Sequence, residues 1–181
     1  MYKNNHYGLM LAIMVAADSQ GIFEECRDAS ESIVEELLQR VVVFLAQPVD
    51  PQATFEFEKD LERLLREMGR RIVEVVYNRL ESERPESLPK RFVEQEQEYS
   101  RKNEKTNNRG GIGTLFGTVA LRRFSCEPLQ EARDDDQSSF SPLERQLGIV
   151  GGNATPALAE RVALLAADHS QQGVLERLAE D

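Results

Sequence analysis

The chain has no tryptophan, two cysteines, two histidines and seven prolines in 181 residues. Cys26 and Cys126 lie far apart, and neither belongs to a C-x-x-C pair. That excludes a disulfide scaffold and a zinc ribbon built from this chain alone, and two reduced thiols is the reading left. His6 and His169 have no nucleophile or metal ligand at a recognised spacing, and no G-x-S-x-G, H-E-x-x-H or P-loop pattern occurs. No complete active site can be assembled from the sequence, so no catalytic residue, metal ligand or cofactor is assigned. Long apolar runs are also missing. Leu9 to Ala17, behind Lys3, is far too short to span a bilayer. It reads either as a buried first helix or, with Val15-x-Ala17 as a cleavage site, as a secretory signal. The weak positive n-region favours the helix, and the cytoplasm as the compartment.

Acidic residues number 32 against 22 basic, for a formal net charge of -10. A surface of that sign opposes general binding to nucleic acid or to anionic membranes. The exception is local. From Arg101 to Phe124 the chain carries Arg101, Lys102, Lys105, Arg109, Arg122 and Arg123 against Glu104 alone. These six cations are the expected place for any DNA contact.

Scarce proline leaves room for long helices. Asp28-Ala29-Ser30-Glu31 has the form of a capping box, followed by Ile33, Val34, Leu37, Leu38, Val41, Val42 and Leu45 at helical spacing. Gln47-Pro48 ends that helix, and Asp50-Pro51 supplies N-cap and first position for the next. The second helix carries Phe57, Leu61, Leu64, Leu65, Met68, Ile72, Val75, Val76 and Leu80 on one face, with Glu62/Arg66 and Glu67/Arg71 as i,i+4 pairs. Gly69 in its middle predicts a close helix–helix approach. The two helices are expected to form an antiparallel hairpin. A coiled-coil dimer is the other use of the same pattern.

Pro85 and Pro89 stop the second helix, and the polar stretch up to Asn108 predicts a linker or mobile arm. Arg109-Gly110-Gly111-Ile112-Gly113 leads into a strand, so it reads as the approach to a β-hairpin and not as a phosphate loop. In that hairpin Thr118 to Leu121 favour strand, and Phe116-Gly117 offers a turn with positive φ. Arg122 and Arg123 must then face opposite sides, one of them toward acidic neighbours. Asp134-Asp135-Asp136 reads as a solvated loop. Ser141-Pro142-Leu143-Glu144 and Thr155-Pro156 each open a short helix, and Gln171 to Glu180 predicts a last one.

The fold class that follows is mainly α (α+β): an antiparallel helical hairpin, a small central β-hairpin, and C-terminal short helices resembling an incomplete helix-turn-helix. The expected divisions are a helical hairpin region (1–84), a polar linker (85–111), a β-hairpin (112–126) and a loop with C-terminal helices (127–181).

Three segments in order carry a family resemblance. They are Gly113-Thr114-Leu115-Phe116-Gly117-Thr118-Val119-Ala120-Leu121-Arg122-Arg123, Phe140-Ser141-Pro142-Leu143-Glu144-Arg145-Gln146-Leu147-Gly148, and Ala154-Thr155-Pro156-Ala157-Leu158-Ala159-Glu160. Together they resemble the N-terminal part of the ISKra-type insertion-sequence transposases, in which such a hairpin, turn and helix precede a helix-turn-helix and a DDE-type nuclease domain. The resemblance covers roughly residues 55–181. It implies a DNA-binding and assembly region of a mobile-element protein that acts in DNA transposition. Many relatives carry C-x-x-C pairs around the hairpin; only Cys126 stands there in this chain, so zinc is not implied. No DDE carboxylate can be matched, and Asp134, Asp135 and Asp136 do not correspond to one, so the expectation is a truncated piece that is not catalytic alone.

Two other readings stand beside it. One is a helical oligomerisation or protein-interaction module with no DNA role, self-associating through the helix from Phe57 to Leu80. The other is an acidic secreted protein. No membrane partner is expected in the first two.

Overall fold

Asp50 and Pro51 open the longest element of the structure, a computed structural model that describes residues 19–81, 89–94, 97–129, 139–149 and 153–168. Asp50 remains extended and its Oδ1 accepts the Ala53 amide at 2.7 Å, while Pro51 takes a position whose missing N–H costs nothing. The helix α2 then runs Pro51–Arg79. Before it, α1 spans Ser19–Ala46 and stops ahead of Pro48. The expected pairs Glu62/Arg66 and Glu67/Arg71 both form, at 3.5 and 2.9 Å.

The two helices are antiparallel, and their cross-links run in reverse order along them. Phe44 stacks on Phe57 with ring centroids 4.4 Å apart near the closed end. Arg40 meets Asp60 at 3.2 Å, Arg63 meets Glu36 at 3.0 Å, and Arg71 donates to the Ala29 carbonyl and Ser32 hydroxyl. Arg79 pairs with Glu25 at the open end. Most of these ion pairs are solvated and contribute at most about 1 kcal/mol each, so the buried Ile33 and Leu64 do more to hold the helices together.

Two expectations about the helices are corrected. Asp28-Ala29-Ser30-Glu31 is not a cap: α1 is already helical from Ser19, so the amides of these residues bond within the helix. The Ser30 hydroxyl instead donates back to the carbonyls of Cys26 and Arg27, at 2.8 and 3.0 Å. Gly69 does mark a close approach, but not by α1. A Cβ there would lie 2.5 Å from Cδ1 of Phe116, whose ring rests on the helix at this point.

Among the described residues seven short strands follow: β1 (Arg91–Glu94), β2 (Gln97–Arg101), β3 (Thr106–Asn107), β4 (Ile112–Thr114), β5 (Gly117–Val119), β6 (Arg122–Arg123) and β7 (Cys126–Pro128). The first three fall in the stretch expected to be a polar linker, 85–111. In β2 the period-two alternation is present, with Tyr99 and Arg101 buried, but an arginine in an inward position hides it from a hydropathy reading. Strands β1, β2 and β7 form an antiparallel sheet in that order. The single hairpin expected over 112–126 is likewise divided. Only β4 and β5 pair as a hairpin, around Leu115-Phe116, with Gly117 at φ 112° as the turn requires. The Thr114 hydroxyl tightens this turn, accepting from the Phe116 amide and donating to the Gly117 carbonyl. The chain then leaves the hairpin: β6 pairs with β3, and β7 with β2.

Two helices complete the described fold, α3 (Pro142–Gln146) and α4 (Pro156–Asp168). Ser141 caps α3 by accepting the Glu144 amide, as the Ser-Pro-x-Glu order predicts. The main core is Ile112, Val119, Leu121 and Leu143, with Val73 and Tyr77 of α2, Leu80 at its C-cap, and Leu147 and Ile149 packed round it. The architecture is therefore α+β, a long helical hairpin whose open end is built into a base of short strands and helices. The N-terminal apolar run, His6, Pro85, Asp134 to Asp136, His169 and the predicted helix from Gln171 to Glu180 lie outside the described residues.

Candidate nucleic-acid interface

The six cations named from the sequence do not form one surface: two cover an aromatic ring, one turns toward a partly buried carboxylate and three are exposed. Phe124 is buried between the end of α2 and the sheet. The Arg101 guanidinium lies 4.5 Å from its ring centroid and the Lys105 ammonium 5.7 Å, both within cation–π range. Arg101 is only 5% exposed, and its Nη1 donates to the Lys102 carbonyl at 2.7 Å. Lys105 donates to the backbone carbonyl of Glu81 at 2.6 Å. Arg123 turns inward as one member of the alternating pair. Its Nε donates to Glu144 Oε1 at 2.8 Å, and its Nη1 donates to the carbonyl and hydroxyl of Thr106. Half of the predicted set thus serves the interior.

The reason lies in a residue that the sequence did not single out. Glu81, just past the end of α2, is 1% exposed, and its Oε2 accepts the Phe124 amide at 2.8 Å. Its other oxygen, Oε1, is buried without a hydrogen-bond donor. Burial raises its pKa to about 6, against the opposing pull of the Phe124 N–H and the positive charges of Lys105, Arg101 and Arg123. Local positive charge therefore compensates a buried carboxylate. Nothing local distinguishes Glu81 from the other acids of its acidic neighbourhood; only the fold does.

The remaining three cations face water. Lys102 is half exposed and pairs with Glu127 at 2.6 Å, a solvated contact that a phosphate can replace. Arg122 is exposed on β6, with Asn107 opposite it in the β3–β6 ladder, and Arg109 is exposed in the turn between β3 and β4. The Arg122 amide is held by Asn78 Oδ1 at 2.7 Å, and Asn78 Nδ2 donates to the Ala120 carbonyl at 2.8 Å. Glu74, one turn earlier on α2, accepts the Ala120 amide at 3.3 Å. These two side chains dock the 120–122 segment on α2, beside its pairing with β3, and periodicity could not have found them.

The three segments behind the family resemblance come together in space. Gly113 exchanges backbone hydrogen bonds with the third segment, accepting from Thr155 at 2.9 Å and donating to Asn153, which precedes it, at 2.7 Å. Arg123 reaches Glu144 of the second segment, and Asn108 joins Glu144 to Asn153 at 2.9 Å on each side. Cys126 and Phe140 exchange backbone bonds at 2.8 and 3.0 Å.

Comparison with family models, with curated proteins and with solved structures finds no match for this chain. Among the described residues, no three His, Cys, Asp or Glu side chains are grouped to hold a metal ion, and no helix is long and apolar enough to cross a membrane. The expected self-association through the apolar face from Phe57 to Leu80 meets a steric objection. Phe57 stacks on Phe44, Leu64 is buried, and Tyr77 and Leu80 pack on the core, so most of that face is already used within the chain.

Proposed function

We propose that this chain is a DNA-contact and assembly region of a transposase-like protein, working by binding and not by catalysis of its own. The observation that carries the reading is the convergence just described: the segments Gly113–Arg123, Phe140–Gly148 and Ala154–Glu160, ordered as in the resembled family, pack as one unit through Gly113, Arg123 and Glu144. The DNA contact belongs to Lys102, Arg109 and Arg122, the exposed half of the basic segment. Such contacts reach phosphates and carry no sequence information. The cytoplasm is the compartment this reading requires.

Duplex titrations at two salt concentrations test it. With at most three phosphate contacts, log K should fall with log salt at a slope no steeper than about -3, since each contact contributes about -0.9. Arg109→Ala with Arg122→Ala should weaken binding and flatten the slope by about 2. Absence of binding at low salt, or a double variant that binds like the parent, overturns the DNA role.

A further inference from the structure

We propose that Asn107 and Arg122 read bases in the major groove of duplex DNA, Arg122 meeting a guanine and Asn107 an adenine in the next base pair. The proposal rests on the DNA-contact reading above and adds sequence preference to it. The two residues are partners in the antiparallel β3–β6 register, and both are exposed. The adjacent pair, in which the Asn108 amide donates to the Leu121 carbonyl, is a hydrogen-bonded one. Asn107 and Arg122 therefore form a non-hydrogen-bonded pair, whose Cα atoms stand about 4.5 Å apart with the side chains close together. Thr106 and Arg123, the next pair, belong to the other face, where Arg123 reaches Glu144.

The backbone around this pair suits a groove. Among the described residues the β3–β6 sheet is only two strands wide, and a two-stranded ribbon is what the major groove admits. Its 120–122 edge is braced by α2, where Asn78 holds the Arg122 amide and Glu74 the Ala120 amide. The strand that carries Arg122 is thus fixed before any ligand arrives, which lowers the ordering cost of binding.

The residue types select the ligand. A phosphate patch needs charge, and an asparagine supplies none. Its amide offers a donor and an acceptor side by side, which match N7 and the N6 amino group of adenine. A guanidinium matches O6 and N7 of guanine in the same two-pronged way. Two side chains rooted about 4.5 Å apart are spaced for successive bases, which rise about 3.4 Å per step, and not for one base. Lys102 and Arg109 lie before and after Asn107 along the chain and keep their phosphate contacts, which set the register. On unrelated sequence Arg122 meets a phosphate as well, and on the preferred step it leaves that phosphate for the guanine.

Selection by the full chain from a pool of duplexes with a randomised centre, followed by titration of the enriched sequence, tests the proposal. The enriched duplexes should share an adjacent guanine and adenine, and changing either base pair should weaken binding at least about fivefold. The salt slope on the enriched duplex should be shallower by about 0.9 than on unrelated duplex, because one phosphate contact is given up. Asn107→Ala should erase discrimination at the adenine alone. It should leave affinity for unrelated duplex and its salt slope as in the parent, since no charge is lost; a merely structural role would weaken all sequences alike. Arg122→Ala should erase discrimination at the guanine. Duplex binding at low salt without enrichment of any sequence overturns base reading and leaves the DNA role standing, whereas no binding to any duplex overturns both. An Asn107→Ala variant that still discriminates at the adenine, or that weakens all duplexes equally, also overturns it.

Discussion

The backbone amide of Phe124 donates to the carboxylate of Glu81 across 2.8 Å, in a place where that carboxylate is almost wholly shielded from water. This contact ties the end of α2 to the connection between β6 and β7. Around it stand Arg101 and Lys105, which cover the Phe124 ring, so that the long helix, the sheet and half of the basic segment meet at one buried charge.

A pH dependence follows from that burial. The Glu81 pKa is raised from 4.5 to about 6. The folded state therefore holds this proton more tightly than the unfolded state does. The contribution is fully present below about pH 4.5 and is lost as pH rises through about 6. Between pH 5 and 7 the loss is about 1 kcal/mol, at 1.36 kcal/mol per pKa unit. Urea denaturation of the parent and of Glu81→Gln at the two pH values checks it. The parent should lose that amount relative to the variant on going to pH 7, and a constant difference between them would refute the assignment.

Asn78 offers a second test. Its side-chain amide accepts from the Arg122 N–H and donates to the Ala120 carbonyl, beside the bond from the Ala120 N–H to Glu74. Asn78→Ala removes both bonds at an exposed edge where water can replace them, and should cost about 0.5–1.5 kcal/mol. Asn78→Asp keeps the acceptor for Arg122 and loses the donor to Ala120, so it should fall between the alanine variant and the parent. Chemical denaturation midpoints give the order.

The two adjacent arginines should separate cleanly. Arg123 joins β6 to Glu144 and Thr106 in a partly buried network, and Arg123→Ala should cost about 1–3 kcal/mol. Arg122 is exposed, and Arg122→Ala should change stability by less than about 0.5 kcal/mol. Thermal unfolding of both variants measures this. A stability loss of equal size at the two positions would contradict the alternation of faces.

Features set by neighbours in the chain were legible in the sequence. Asp50-Pro51 and Ser141-Pro142-Leu143-Glu144 start helices because a cap acts on amides two or three residues away, and the i,i+4 pairs of α2 are equally local. The antiparallel helical hairpin followed from a helix stop and a helix start only a few residues apart. The inward turn of one of the two arginines followed from the period of a strand.

Tertiary structure decided the rest. It turned a polar linker into three strands, because ladder hydrogen bonds use the backbone and tolerate an inward Arg101 once Phe124 and Glu81 are beside it. It gave Gly69 to Phe116 instead of α1, and it covered most of the apolar face of α2 while leaving Val34, Leu38, Val42 and Leu45 of α1 exposed. It also reduced six candidate DNA contacts to three. Composition could show that positive charge was concentrated between Arg101 and Phe124. Which of those charges reach solvent depends on where a single buried carboxylate lies, and that carboxylate comes from a different part of the chain.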